Sequence, residues 1–193
     1  LPAASSENIG PRAAACEEAA LAVEGVVNSS GAGAGYGEGR KWFATSEGFF
    51  GASNGARHSL SVSVIAQDGA GMERDYDYDS KTHLVDMRAP EDVGRRAGER
   101  AVARLSPRKL KSRTAPVIFD KRLSGSLLAH LAGAINGGAI ARGVSFLKNK
   151  KGARIFPAGV DVIDDPLIRR GHASRPFDGE GVAGKRLKVI DDG

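Results

Sequence analysis

The pattern of apolar and polar positions predicts a run of β hairpins followed by a segment built around one helix. Ser59-Leu60-Ser61-Val62-Ser63-Val64-Ile65 alternates, which predicts a strand with Leu60, Val62 and Val64 facing inward. Asp68-Gly69-Ala70-Gly71 turns the chain, and Met72–Asp79 should pair back as a hairpin. Asp75, Asp77 and Asp79 then share one face of that strand and Tyr76 and Tyr78 the other. We expect a solvated carboxylate face. A calcium site is the alternative, but the EF-hand glycine and terminal glutamate are missing.

Upstream, residues 1–11 contain Pro and Ser and are expected to be loose. Ala13–Glu24 is a good helix former by propensity, with Gly25 as its stop signal. A glycine-dense β region runs from Val26 to about Gln67. Gly31, Gly33, Gly35, Gly37 and Gly39 alternate, so one strand face would be bare backbone. Lys41–Thr45 reads as strand, Ser46-Glu47-Gly48 as a turn, Phe49-Phe50 as the next strand, and Ser53-Asn54-Gly55 as a second turn. After a connection at Ser80–Ala89, Pro90-Glu91-Asp92 opens a helix through about Leu105. Ala97, Ala101 and Leu105 form its narrow apolar seam.

The most informative stretch is 116–147, PVIFDKRLSGSLLAHLAGAINGGAIARGVSFL. Val117–Phe119 reads as a short strand, and Asp120 as the cap of a helix. Leu123, Leu127, Leu131 and Ile135 recur at spacings of four, with Leu128 and Ala132 beside them, which predicts a buried central helix at about 121–135. Asn136-Gly137-Gly138 weakens or ends it. A second segment reaches Arg142, and Gly143 leads into an extended Val144–Leu147. Arg154-Ile155-Phe156, Val160–Ile163 and residues 186–190 read as further short strands. Asp178 and Glu180 sit two apart in a Gly-rich loop after the basic stretch Arg169–Arg175. They read as structural or substrate-facing groups; the alternative is a paired acid and base. These elements give an α+β fold with antiparallel and mixed strands packed on a few helices. Regular βαβ alternation is absent, which argues against a doubly wound sheet.

A chain of 193 residues can bury a core of its own, and no apolar run approaches the length of a membrane span. The single Cys16 excludes an internal disulfide and fits a reducing compartment, so cytoplasm is the default. No adjacent cation is visible in the sequence to make that thiol reactive. Net charge is +5, with a basic run from Arg104 to Arg113. No aromatic residue is interleaved there to stack on bases, so a solvated linker is preferred to a nucleic-acid patch. The glycine run lacks the helix start that phosphate binding requires. No HExxH and no GxSxG is present, and His58, His83, His130 and His172 are scattered.

Several motifs together resemble the TldE (PmbA) branch of the TldD/TldE family, often called modulators of DNA gyrase. They are Gly125-Ser126-Leu127-Leu128, His130–Gly137, Arg142–Leu147, Asp164-Asp165-Pro166-Leu167 and Ser174–Val182. The resemblance implies a mixed, barrel-like sheet of PmbA/TldD type. It also implies a heteromeric metallopeptidase that cleaves unfolded peptides, with zinc in a TldD-type partner subunit. That partner carries HExxxH after a Leu-Leu pair. Here Ala129 and Ala134 stand at both ligand positions and His130 at the glutamate position. A methyl group cannot ligate zinc. The expectation is therefore a chain with no catalytic or metal-binding residue of its own, which helps build a chamber and hold substrate. Gly33, Gly35, Arg142, Ser145, Asp178 and Glu180 are the candidate substrate-binding residues. An independent hydrolase and a DNA- or gyrase-binding regulator are the alternatives. The family's proteins are more than twice this long, so the chain reads as an internal fragment. Its expected parts are 1–105, a basic linker at 106–115, and a truncated segment at 116–193.

Overall fold

The computed structural model describes residues 6–193, and the side chains from Ile9 onward. Two compact units divide the chain. The first runs to Arg108 and includes Asp164–Leu187; the second is Lys109–Ile163 with Lys188–Gly193.

In the first unit two helices lie on one face of a three-stranded antiparallel sheet, ordered β1-β2-β3. Helix α1 spans Ser6–Leu21, β1 Val26–Ala44, β2 Phe50–Asp68, β3 Gly71–Lys81 and α2 Pro90–Ala103. The β2–β3 hairpin forms as the alternation predicts, with Asp68 opposite Gly71 and Gly69 at φ +55°. Leu60, Val62, Val64 and Ala66 of β2 are buried with Cys16 and Ala20 of α1 and Val93, Ala97 and Ala101 of α2. Fully burying a side chain of Leu or Val size contributes about 1.5–3 kcal/mol.

Three local expectations change here. Helix α1 starts at Ser6 and runs through Pro11, where a loose segment is expected; residues 1–5 lie outside the described residues. Pro11 removes one helical hydrogen bond, but α1 packs against both α2 and the sheet, and that burial outweighs the local preference. The helix also stops at Leu21 rather than Glu24, and Gly25 turns the chain at φ +91°. Lastly, Ser53-Asn54-Gly55 is no turn. Those residues lie inside β2, opposite Lys41, Arg40 and Gly39, because the long hairpin carries its ladder past them.

The helices approach closely because α2 has glycines where they cross. A Cβ on Gly94 would lie 2.0 Å from the Cys16 carbonyl oxygen, and one on Gly98 2.6 Å from Val23 Cγ2. Backbone of α1 and the Val23 side chain just beyond it fill the space that side chains would occupy.

In the second unit, α3 spans Lys121–Ala134 and the short α4 spans Gly137–Ala141. Asp120 caps α3 by accepting from the Arg122 amide at 2.8 Å. Asn136 ends one helix and caps the next, accepting from the Gly138 and Ala139 amides at 3.0 and 3.3 Å. Strands β4 (Val162–Asp164) and β5 (Leu187–Ile190) form a two-stranded sheet. The predicted central helix is present, but it is not buried. Only Leu131 and Ala134 are buried, while Leu123, Leu127 and Leu128 are about half exposed. The apolar stripe exists without a layer of described residues over it. Val117–Phe119, Val144–Leu147 and Arg154–Phe156 form no strands. Their amides find other partners: Leu147 N donates to Ser145 Oγ, and Ile155 N and Phe156 N to the Gly193 carbonyl.

Glycines at these two kinds of position should respond oppositely to alanine. Gly94→Ala should cost at least about 3 kcal/mol in urea unfolding, because backbone cannot retreat from the added methyl. Gly125→Ala in α3 meets nothing within 4 Å, so it should stabilise the helix by up to about 1 kcal/mol.

Candidate functional site

The outer face of the sheet carries the alternating glycines. Gly33 lies opposite Ser61 and Gly35 opposite Ser59, and Tyr78 and Ser80 of β3 continue the same rows. No atom comes within 4 Å of a Cβ built on Gly31, Gly37 or Gly39. The result is a strand face without side chains, on the outer strand of the three, with the stacked Tyr76 and Tyr78 rings on the far strand.

The opposite face overturns the expectation for the three aspartates. Register places Asp79 opposite Leu60, Asp77 opposite Val62 and Asp75 opposite Val64, on the core side. All three are buried, Asp77 to 3% exposure. Arg100 Nη1 donates to Asp77 Oδ1 at 2.6 Å and Arg88 Nη1 to Oδ2 at 2.8 Å. The Arg88 amide donates to Asp79 at 2.7 Å, and Arg104 lies 3.8 Å from Asp75. The face is neither solvated nor a calcium site, since guanidinium groups occupy its carboxylates. Burial acts to raise the Asp77 pKa, but the Arg88 hydrogen bond and the charges of Arg88 and Arg100 outweigh it and hold it below the usual range.

The remaining candidates separate between the units. Asp178 organises its own loop: Oδ1 accepts from the Glu180 and Val182 amides at 2.9 and 3.0 Å, which hold its pKa low. That loop packs Phe177 against Phe49, ring centroids 5.0 Å apart. Glu180 is exposed. In the second unit, Arg142 ends α4, and Ser145 Oγ donates to the Ala134 carbonyl at 2.6 Å. Ala129 and His130 are exposed on α3, whereas Ala134 is buried.

The four histidines part company in an unexpected way. His58 is buried under Tyr36, with ring centroids 4.7 Å apart. His130 stands alone on α3. His83 and His172 line one cleft of about 700 Å³ in the first unit, together with Arg40 and Arg170. Among the described residues, no three His, Cys, Asp or Glu side chains gather as a metal-ligating group. Burial pushes the Cys16 thiol up to about 11. The cleft was missed because its walls come from residues far apart in sequence; the only local signal was the basic stretch at 169–175. Among the described residues, no helix is long and apolar enough to cross a membrane.

The antiparallel sheet, its two covering helices and the helix-centred second unit recur in known proteins. Residues 4–105 match the PmbA/TldA metallopeptidase central domain, and 112–193 match the C-terminal domain of the same family. The chain belongs to the PmbA/TldA metallopeptidase family. It is 41% identical over 182 residues to the metalloprotease PmbA of Escherichia coli O157:H7, covering 94% of this chain and 40% of that protein. A candidate modulator of DNA gyrase from Bacteroides thetaiotaomicron superposes with a TM-score of 0.91 at 28% identity, over 98% of this chain and 44% of that one. TldE from Thermococcus kodakarensis shares the fold, with a TM-score of 0.77 at 18% identity, over 99% and 43% of the two chains. The chain thus spans about two fifths of the length of these relatives. The α+β fold of PmbA/TldD type expected from the sequence is the one observed.

The buried aspartates give this unit a defined acid response. Asp77 has a depressed pKa, so its contribution to stability is present above the ordinary Asp value near 4 and is lost as pH falls through its lower folded value. Asp77→Asn should cost about 3 kcal/mol at neutral pH, because Arg100 loses its carboxylate partner and Arg88 keeps only Asp79 and the Tyr78 carbonyl. It should also flatten the loss of stability below about pH 4, as followed by circular dichroism. Cys16 should resist iodoacetamide in the folded chain and react once urea unfolds it.

Proposed function

We propose that this chain is the TldE-type, non-catalytic component of a two-subunit metallopeptidase that cleaves unfolded peptides, contributing chamber wall and substrate contacts. The observation that carries the reading is Ala129 and Ala134 on α3. They are methyl groups at the positions where the family's metal-bearing branch has histidines. Zinc requires nitrogen, sulfur or oxygen donors, so the metal and the glutamate that activates water would come from a TldD-type partner.

The bare outer face of β1 supports a role in holding peptide. An extended chain can add to a strand edge through main-chain hydrogen bonds, and Gly33 and Gly35 present no side chain to obstruct it. Glu180 and Arg142 are charged members of the proposed substrate-facing set. Ser145 and Asp178 belong to it by shaping the loops that carry them, through the hydrogen bonds they already make. The proposed compartment is the cytoplasm.

The test is zinc content and peptidase activity of the full-length protein, alone and mixed with a TldD-type subunit. Activity only in the mixture, with zinc co-purifying with the partner, is the expected result. Stoichiometric zinc and chelator-sensitive cleavage by this protein alone would overturn the reading. A Gly33→Val, Gly35→Val variant should raise the KM of the mixture severalfold while kcat changes little, because it removes uniform binding rather than chemistry.

A further inference from the structure

The cleft of the first unit is built from four separate pieces of chain. Glu38, Gly39 and Arg40 come from β1, Asn54–Ala56 from β2, Thr82 and His83 from the residues after β3, and Arg170–His172 with Ser174 from the later loop. Its volume of about 700 Å³ suits a small ligand or a few residues of a peptide. Gly39 and Gly55 pair across the ladder and line the cleft with backbone, while their Cβ directions point to the face opposite Arg40 and Asn54.

The walls carry two incompletely engaged guanidinium groups. Arg40 donates from Nε to Asn54 Oδ1 at 3.0 Å. Arg170 donates from Nη1 to both oxygens of Asp86, at 2.9 and 3.1 Å. Among the described residues, Nη1 and Nη2 of Arg40 and Nε and Nη2 of Arg170 make no further hydrogen bond. Each retains two donor nitrogens, and a guanidinium fork matches the two oxygens of a carboxylate. His172 is fixed by donating from Nε2 to the Ser80 carbonyl at 2.6 Å, since a carbonyl only accepts. Glu38 is the one acid in the lining, and its Oε2 already accepts from Tyr36.

We propose that this cleft binds a carboxylate of a peptide, with Arg40 and Arg170 as its ligands. The carboxylate follows from the cleft; the peptide rests on the function proposed above. The carboxylate has two possible sources, the peptide C-terminus and an acidic side chain.

The single tryptophan of the chain reports on the cleft, because the Arg40 guanidinium lies 5.8 Å from the Trp42 ring centroid. The chain is titrated with trialanine bearing a free C-terminus and with N-acetylated, C-amidated triglutamate, reading Trp42 emission and calorimetric heat. Saturable binding of either peptide is expected, and the peptide that binds identifies the source. Arg40→Gln and Arg170→Gln should each weaken it about tenfold, as expected for one charge-assisted pair. Arg169→Gln, beside the cleft but outside its lining, should leave it unchanged. The proposal is overturned by an absence of heat and emission change at millimolar peptide. It is equally overturned by undiminished binding in both arginine variants, or by inorganic phosphate binding as tightly as the peptides. No partner subunit and no catalysis enter this measurement, so it can fail while the two-subunit reading stands, and the reverse.

Discussion

The first unit depends on Asp77. That residue is 3% exposed, and its carboxylate is held between Arg88 and Arg100 at 2.8 and 2.6 Å. A buried carboxylate is tolerable only when charge and hydrogen bonds replace its hydration. Here that requirement ties three elements together. Arg88 sits just before α2 and Arg100 within it, so α2 must lie across β3. With α2 in place, Val93, Ala97 and Ala101 close over Leu60, Val62 and Val64. The glycines at 94 and 98 then let α1 settle against α2 at backbone distance. Loss of the central ion pairs would leave charges buried alone, which is why this polar cluster behaves as part of the core.

That packing commits one face of the sheet and frees the other. With the helices on the aspartate side, the glycine rows of β1 and the tyrosines of β3 are left outward. The hairpin continues well beyond the helices, and its far end, around Arg40 and Asn54, meets the loop at 170–174 to form the cleft. Core and binding surfaces are thus consequences of one register. A shift by a single residue would turn the aspartates outward and bring Tyr76 and Tyr78 against α2.

Helix α3 presents a different relation between pattern and packing. Its leucines keep the spacing of a buried stripe, yet Leu123, Leu127 and Leu128 are about half exposed. The relatives are more than twice as long as this chain. The chain matches the central and C-terminal domains of the family and spans about two fifths of the relatives' length. Ala129 and His130 are exposed beside these leucines on α3.

Local features were legible in the sequence because their causes are local. Alternation at Ser59–Ile65 specified the β2 core face, Asp68–Gly71 the hairpin turn, Pro90-Glu91-Asp92 the start of α2, and Asp120 the cap of α3. Family membership was legible too, because it rests on residue identities. What the sequence pattern did not decide was which surfaces meet. Asp75, Asp77 and Asp79 read as a solvated face because carboxylates alone prefer water; only the arginines of α2, brought over them by tertiary packing, make burial favourable. Residues 1–11 read as loose because the penalty of Pro11 is local while its compensation comes from α2 and the sheet. His83 and His172 lie 89 positions apart, and no spacing rule connects them; a shared cleft exists only once β3 and the later loop have found each other.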